Sequence, residues 1–308
     1  MRGLLLGSIL ALIAAPALAE MPQHDRCVSE VASPDEVIAA CTPLIQDSRT
    51  APNDLAIETH DRGRAYLRKG LYDQAIADET RAITLRADYP KAYFDRGAAY
   101  SGKGLLDQAI TDLSQAITLQ PNDADAYYFR GRAFHTKGQL DQAIADYSHA
   151  IALKPDASAL SYDGRGAAYA SQGLDDQAIA DFGRAIAIEP GDVQAYAARA
   201  AAYSSKGQYD QAIFDETQAI SLKPDFAAAY NGRAWAYHLA GRDAQGLPDA
   251  EKGVSLAPQN PNVIETRAEI YEKLGRRDDA IAGYRAALTI APNMQDARAG
   301  LTRLGATS

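Results

Sequence analysis

From residue 56 to residue 294 the chain repeats one alternation of apolar and polar positions. Apolar side chains recur every three or four residues over about a dozen positions, a short polar turn intervenes, and a second run of the same helical period follows. The word "DQAI" marks the rhythm, opening at Asp73, Asp107, Asp141, Asp176 and Asp210 at intervals of 34, 34, 35 and 34 residues. The spacing outlasts the wording, through Ala244 to the "DDAI" at Asp278. The one extra residue falls between Pro155 and Tyr162, in a connector, where a slightly longer loop costs little. A fixed period of this kind marks a repeat architecture.

Each unit predicts two helices joined by a turn that ends in glycine, from Gly70 in the first to Gly275 in the seventh. A proline stops the second helix, from Pro121 to Pro292; in the first unit Ala87 stands in its place. Three columns hold only small residues, one reading Gly63, Gly97, Gly131, Gly166, Ala200, Ala234 and Ala268, the others starting at Ala75 and Ala82. Small side chains at this spacing let antiparallel helices approach closely. Beside them runs an aromatic column, Tyr66, Tyr100, Phe134, Tyr169, Tyr203, Tyr237 and Tyr271, expected to fill the core.

This pattern of glycine, aromatic, alanine and proline at a 34-residue period resembles the tetratricopeptide repeat, as found in exported bacterial repeat proteins. The resemblance implies an all-α fold, a right-handed superhelical solenoid of stacked antiparallel helix pairs. Seven units match, 56–89, 90–123, 124–157, 158–192, 193–226, 227–260 and 261–294. One hairpin cannot bury its own apolar face, so such units depend on their neighbours. Residues 295–308 predict a capping helix and tail, and residues 20–55 an irregular N-terminal hairpin.

Residues 1–19 differ in kind: Arg2, an apolar run from Leu4 to Ala15, then Ala17-Leu18-Ala19. They are expected to be a cleavable signal peptide, making the protein periplasmic or secreted and not membrane-spanning. Export gives the only two cysteines, Cys27 and Cys41, an oxidising setting, so a disulfide is expected between them. The net charge of −9, without a run of basic residues, argues against nucleic acid. Hydrolase, phosphate-loop, dinucleotide and zinc-protease motifs are absent, and the five histidines are scattered, so no catalytic residue, cofactor or metal is expected.

Two charged columns run along the repeats, arginines at 62, 96, 130, 165, 199, 233 and 267 and aspartates at 78, 112, 146, 181, 215 and 249, with Gly283 in the seventh aspartate position. An arginine beside a packing face needs a carboxylate, so the columns predict a ladder of ion pairs. Pairing within a unit or with the preceding unit is equally compatible with the count.

The resemblance also implies that the first helix of each unit lines a concave groove for a peptide or protein segment. Candidate lining residues are His60, Arg64, Arg68, Phe94, Tyr128, Arg132, His135, Asn231, Trp235 and His238, followed by Glu265, Glu269 and Glu272. The lining is basic and aromatic early and acidic late. The Lys/Asn carboxylate clamp of some relatives is missing. Pro248 and Gly246 are expected to delay or kink the second helix of the sixth unit. The expected function is a non-enzymatic interaction scaffold or adaptor acting outside the cytoplasm. The alternative is an enzyme, or enzyme accessory, acting on cell-envelope polymers.

Overall fold

The computed structural model describes residues 22–307, so the expected signal peptide lies outside the described residues. Two helices open the chain, α1 (Gln23–Cys27) and α2 (Pro34–Gln46). Seven pairs follow: α3 (Pro52–Arg68) with α4 (Tyr72–Leu85), α5 (Pro90–Gly102) with α6 (Leu106–Leu119), α7 (Ala124–Thr136) with α8 (Leu140–Leu153), and α9 (Ala159–Ser171) with α10 (Asp175–Ile188). The last three pairs are α11 (Val193–Ser205) with α12 (Tyr209–Leu222), α13 (Ala227–Leu239) with α14 (Asp243–Leu256), and α15 (Pro261–Lys273) with α16 (Arg277–Ile290). A shorter helix, α17 (Gln295–Arg303), closes the fold, and no strand occurs among the described residues. The all-helical architecture of stacked helix pairs is thus the one the repeat pattern predicts. The helices form two compact units, one up to Asn122 and one from Asp123.

Local chemistry sets the helix ends. Ser33 caps α2 in a reciprocal capping box with Glu36, and Asp123, Asp192 and Asn260 accept from the first-turn amides of α7, α11 and α15. At the other end Gly70 takes a φ of 71°, which lets the Leu71 amide reach back to the Tyr66 carbonyl at 2.9 Å. Such a left-handed C-terminal turn suits glycine alone without strain, and it repeats through Gly275.

The small columns form the seam between helices. Ala75, Ala109, Ala143, Ala178, Ala212 and Ala280 are wholly buried. The bulkiest fully buried side chains come from the second helices, Leu113, Tyr147 and Tyr284 among them. The aromatic column expected to fill the core is instead half-buried, apart from Tyr271. Its rings lie beside the arginine column, with the Arg62, Arg165 and Arg199 guanidinium carbons 5.8, 5.8 and 5.9 Å from the centres of Tyr66, Tyr169 and Tyr203. These rings shield a charged seam from water.

That seam is the ladder, and its pairing is internal to each repeat. Arg62 Nε and Nη2 donate to both carboxylate oxygens of Asp78 at 2.7 and 2.8 Å. The same fork joins Arg96 to Asp112, Arg130 to Asp146, Arg165 to Asp181, Arg199 to Asp215 and Arg233 to Asp249. The remaining Nη1 links repeats: Arg96 donates to Thr80, Arg165 to Ser148 and Arg233 to Thr217, each a hydroxyl of the preceding repeat. The repeat of Arg267 has Gly283 in the aspartate position, and the Arg267 Nε is buried with no hydrogen-bond partner.

At the N-terminal end Cys27 and Cys41 form a disulfide with Cα atoms 4.8 Å apart. It sits in a cluster with Ala32, Val37, Ala40, Ile45 and Ala65, which joins α1 and α2 to α3. At the C-terminal end Ala297 and Leu301 of α17 cover Tyr284, Ala287 and Ile264 of the last repeat. Pro248 does not delay α14, which begins at Asp243, 34 residues after Tyr209 and 34 before Arg277, the starts of α12 and α16. By then the first turn is formed, so the proline removes one internal bond without resetting the start.

Candidate functional site

In the C-terminal unit the first helices α7, α9, α11, α13 and α15 touch in succession, whereas the second helices make no comparable contact with each other. The first helices therefore occupy the shorter, inner arc of that unit. On it Arg132 is exposed, its guanidinium 5.8 Å from the Tyr128 ring and 5.2 Å from that of Phe129. His135 is half-buried one turn further along α7. Trp235 is half-buried on α13 and stacks on His238 with ring centres 5.1 Å apart. His238 is oriented through Nδ1, 2.6 Å from Asp243, while its Nε2 lies 4.0 Å from Glu269.

The far end of this arc is acidic. Burial, reinforced by Glu269 and Asp296, pushes Glu265 up to about 7, and burial also raises Glu269. Glu272 goes the other way, because Arg303 donates to it and favours its charged form. At one repeat position, Asp163, Asn231 and Glu265 each keep a buried side-chain oxygen without a hydrogen-bond partner. Burial and the nearby Asp192 push Asp163 up to about 7.

In the N-terminal unit the inner arc runs over α1, α3 and α5. Arg68 is exposed, Phe94 is half-buried, and Arg64 is tied to Asp61 at 3.0 Å. His60 departs from the groove position expected for it. It is only 2% exposed and turns inward, with Nδ1 3.0 Å from Glu79 Oε2 and 3.7 Å from Asp95 Oδ2. The reason lies in Glu79, an acid in a packing position, which offers the imidazole a buried partner.

Three consecutive helices thus converge through His60 of α3, Glu79 of α4 and Asp95 of α5, with one ligand atom from each within 4.8 Å of the others. All three are buried, and Glu79 Oε1 has no hydrogen-bond partner. Tyr89 closes one side, its ring centre 4.8 Å from that of His60. Burial pushes Asp95 up to about 7 and Glu79 well above the usual carboxylate range, and it pulls His60 down to about 3. Every charged form is therefore costly here without a counter-charge. Search by ligand spacing misses the cluster because the residues are 19 and 16 apart and on different helices. Column comparison exposes it: the next repeats carry Phe94 and Tyr128 in place of His60, Leu113 and Tyr147 in place of Glu79, and the Asp95 position becomes Phe129 and Gly164.

No helix among the described residues is long and apolar enough to cross a membrane. No curated protein matches the chain. Family models described as tetratricopeptide or TPR repeat match residues 63–104, 94–158, 182–214 and 263–294. Among solved structures, the APC/C hetero-tetramer Cut9-Hcn1 is 18% identical with a TM-score of 0.64, over 88% of this chain. The chain spans 52% of that relative's length. YrrB, described as a TPR protein with an unusual peptide-binding site, is 21% identical with a TM-score of 0.52, covering 62% of this chain and 96% of its own. MamA is 30% identical with a TM-score of 0.50, covering 54% of this chain and 96% of its own. With matched repeats at both ends and a relative of this identity nearly fully covered, the chain belongs to the tetratricopeptide repeat family, whose fold is typical of protein–protein interaction scaffolds.

Proposed function

We propose that the protein is a non-enzymatic adaptor that holds an extended polypeptide segment along the inner arc of its C-terminal unit, outside the cytoplasm. One observation carries this reading. The small residues of the helix seam are nearly constant from repeat to repeat, while the inner-arc residues change from Tyr128 and Arg132 to Asn231 and Trp235 and then to Glu265 and Glu269. Variation along an accessible row is what sequence-selective recognition requires. Trp235 and His238 offer a stacked platform for an apolar or aromatic side chain, and Arg132 a cation above two rings. The acids beyond them favour a segment whose corresponding end is basic.

The Cys27–Cys41 disulfide supports an oxidising location, and the peptide-binding site named for YrrB supports the class of ligand. The test is selection of peptides from a random library on the full chain, followed by titration of the recovered peptides. Binding that weakens at least about tenfold in Trp235→Ala and in Arg132→Glu supports the reading, in line with losses above about 1 kcal/mol at interface anchors. Selected peptides that bind both variants as they bind the parent overturn it.

A further inference from the structure

We propose that His60, Glu79 and Asp95 form a binding site for one first-row divalent cation, of the Zn²⁺ class, which clamps α3, α4 and α5 together. The donor set is one imidazole and two carboxylates, a combination that suits Zn²⁺ and its neighbours better than Mg²⁺ or Ca²⁺. Bonds of about 2.0–2.2 Å at tetrahedral angles put ligand atoms about 3.3–3.5 Å apart. The separations from His60 Nδ1, 3.0 Å to Glu79 and 3.7 Å to Asp95, bracket that distance. All three ligand atoms lie within 4.8 Å of one another, so an ion is seated by side-chain rotations that draw the two carboxylates together.

Charge gives a second argument. Once ionised, the two carboxylates place two negative charges in a region where their own side chains are almost fully buried, and a divalent cation beside a neutral imidazole cancels both. Of the cations acting on the cluster, the Arg64 guanidinium is already matched by Asp61, and Lys91 is exposed. A third argument is the unpartnered Glu79 Oε1, a buried acceptor that the fold leaves unused on one of the three ligands. A glycine, Gly63, stands where a Cβ would come within 2.5 Å of that oxygen, so the backbone leaves room for the carboxylate. Metal entry displaces the proton shared between His60 Nδ1 and Glu79, leaving the imidazole nitrogen and the carboxylate oxygens to the ion.

Because each ligand comes from a different helix, the bound ion joins the first repeat to the second. Its role is structural, and it does not depend on what the inner arc of the C-terminal unit binds.

The experiment uses the full chain, stripped with a chelator and titrated with Zn²⁺ alone by calorimetry, with Co²⁺ absorption to report nitrogen and oxygen ligation. One equivalent is expected to bind and to raise the unfolding temperature. Asp95→Asn, which keeps shape, should weaken Zn²⁺ binding by at least about tenfold, since even outer-shell changes cost about 10–100-fold. The pair His60→Phe with Glu79→Leu copies Phe94 and Leu113 of the next repeat, so it should fold and lose the site altogether. Circular dichroism verifies that fold. His24→Ala, which removes the other imidazole of the N-terminal unit, should leave binding unchanged. The proposal is overturned if the parent binds no Zn²⁺, or if Asp95→Asn and the double variant bind it as the parent does.

Discussion

Glu79 and Glu216 occupy the same position in the first and fifth repeats, a column that elsewhere holds Leu113, Tyr147, Phe182, Ala250 and Tyr284. Both are buried, and both have an oxygen without a partner. Their surroundings differ. Glu79 meets His60 and Asp95, whereas Glu216 packs against Gly232 and gathers no such cluster of imidazole and carboxyl groups among the described residues. Burial, with Asp215 adding to it, pushes Glu216 up to about 9, so at neutral pH it keeps its proton and behaves as an uncharged packing residue. Burial raises both carboxyls, and Glu79 alone of the two lies beside an imidazole and a second carboxyl, which gives it a donor set.

The ladder aspartates show a third condition, a buried carboxylate that stays charged because a guanidinium forks onto it. Asp215 is 1% exposed, adjoins Glu216 and accepts both bonds from Arg199. Reversing it in Asp215→Arg should have the largest effect, a loss of at least about 3 kcal/mol, because the half-buried Arg199 guanidinium then faces another positive charge placed at a buried position. Urea unfolding measures the loss, and amide exchange should place it in α11, α12 and α13. If stability falls by less than about 1 kcal/mol, as for an exposed pair, then Asp215 belongs with the solvated charges and the contrast with Glu216 disappears.

Much of this was legible in the sequence, and the physical reason is repetition. A small residue such as Ala143 or Ala178 in a fixed column constrains helix approach in every unit, so the period alone predicts the stacking that the structure shows. The ladder was legible as columns but not as pairs. Asp78 lies 16 residues after Arg62 and 18 before Arg96, and only the turn geometry selects the shorter, internal pairing. His60 was misplaced for a similar reason: helix periodicity gives the face of α3 it occupies, while the acid that draws it inward lies on α4. The aromatic column lies shallower than expected, because each ring shares its helix face with the arginine four residues before it, as Tyr169 does with Arg165 and Tyr203 with Arg199.

A smaller effect separates the two glutamates by pH. The folded Glu216 holds its proton up to about 9, while in the unfolded chain it titrates near its ordinary value of 4.5. Between those values the folded state binds more protons than the unfolded one, so stability is greatest below pH 4.5 and declines as pH rises towards 9. The slope from this group is at most about 1.4 kcal/mol per pH unit. Glu216→Gln removes the titration and keeps the shape. Unfolding measured at pH 7 and pH 9 should show a shallower decline for the variant than for the parent. Equal slopes would mean that Glu216 is charged when folded, and it would then need a partner as Glu79 does.

The smallest expected effect concerns the one arginine of the column whose repeat lacks the acid. Arg267 keeps the position of Arg233, but Gly283 replaces the aspartate and Nε is left buried without a partner. What remains to hold the guanidinium is the Tyr271 ring, 5.7 Å from it, a contact that contributes about 0.5–1 kcal/mol at an exposed site. Arg267→Met keeps the aliphatic stem and removes a charge whose burial is not offset, so it should change stability by less than about 1 kcal/mol in either direction. Arg233→Met removes the partner of Asp249, which is 8% exposed, and should cost about 3 kcal/mol by leaving that carboxylate buried and alone. The two variants, compared by urea unfolding under identical conditions, isolate the carboxylate as the source of the difference. If both lose the same stability, the arginine column is held by its rings and hydroxyl contacts, and the bidentate pairs contribute nothing that the seventh repeat lacks.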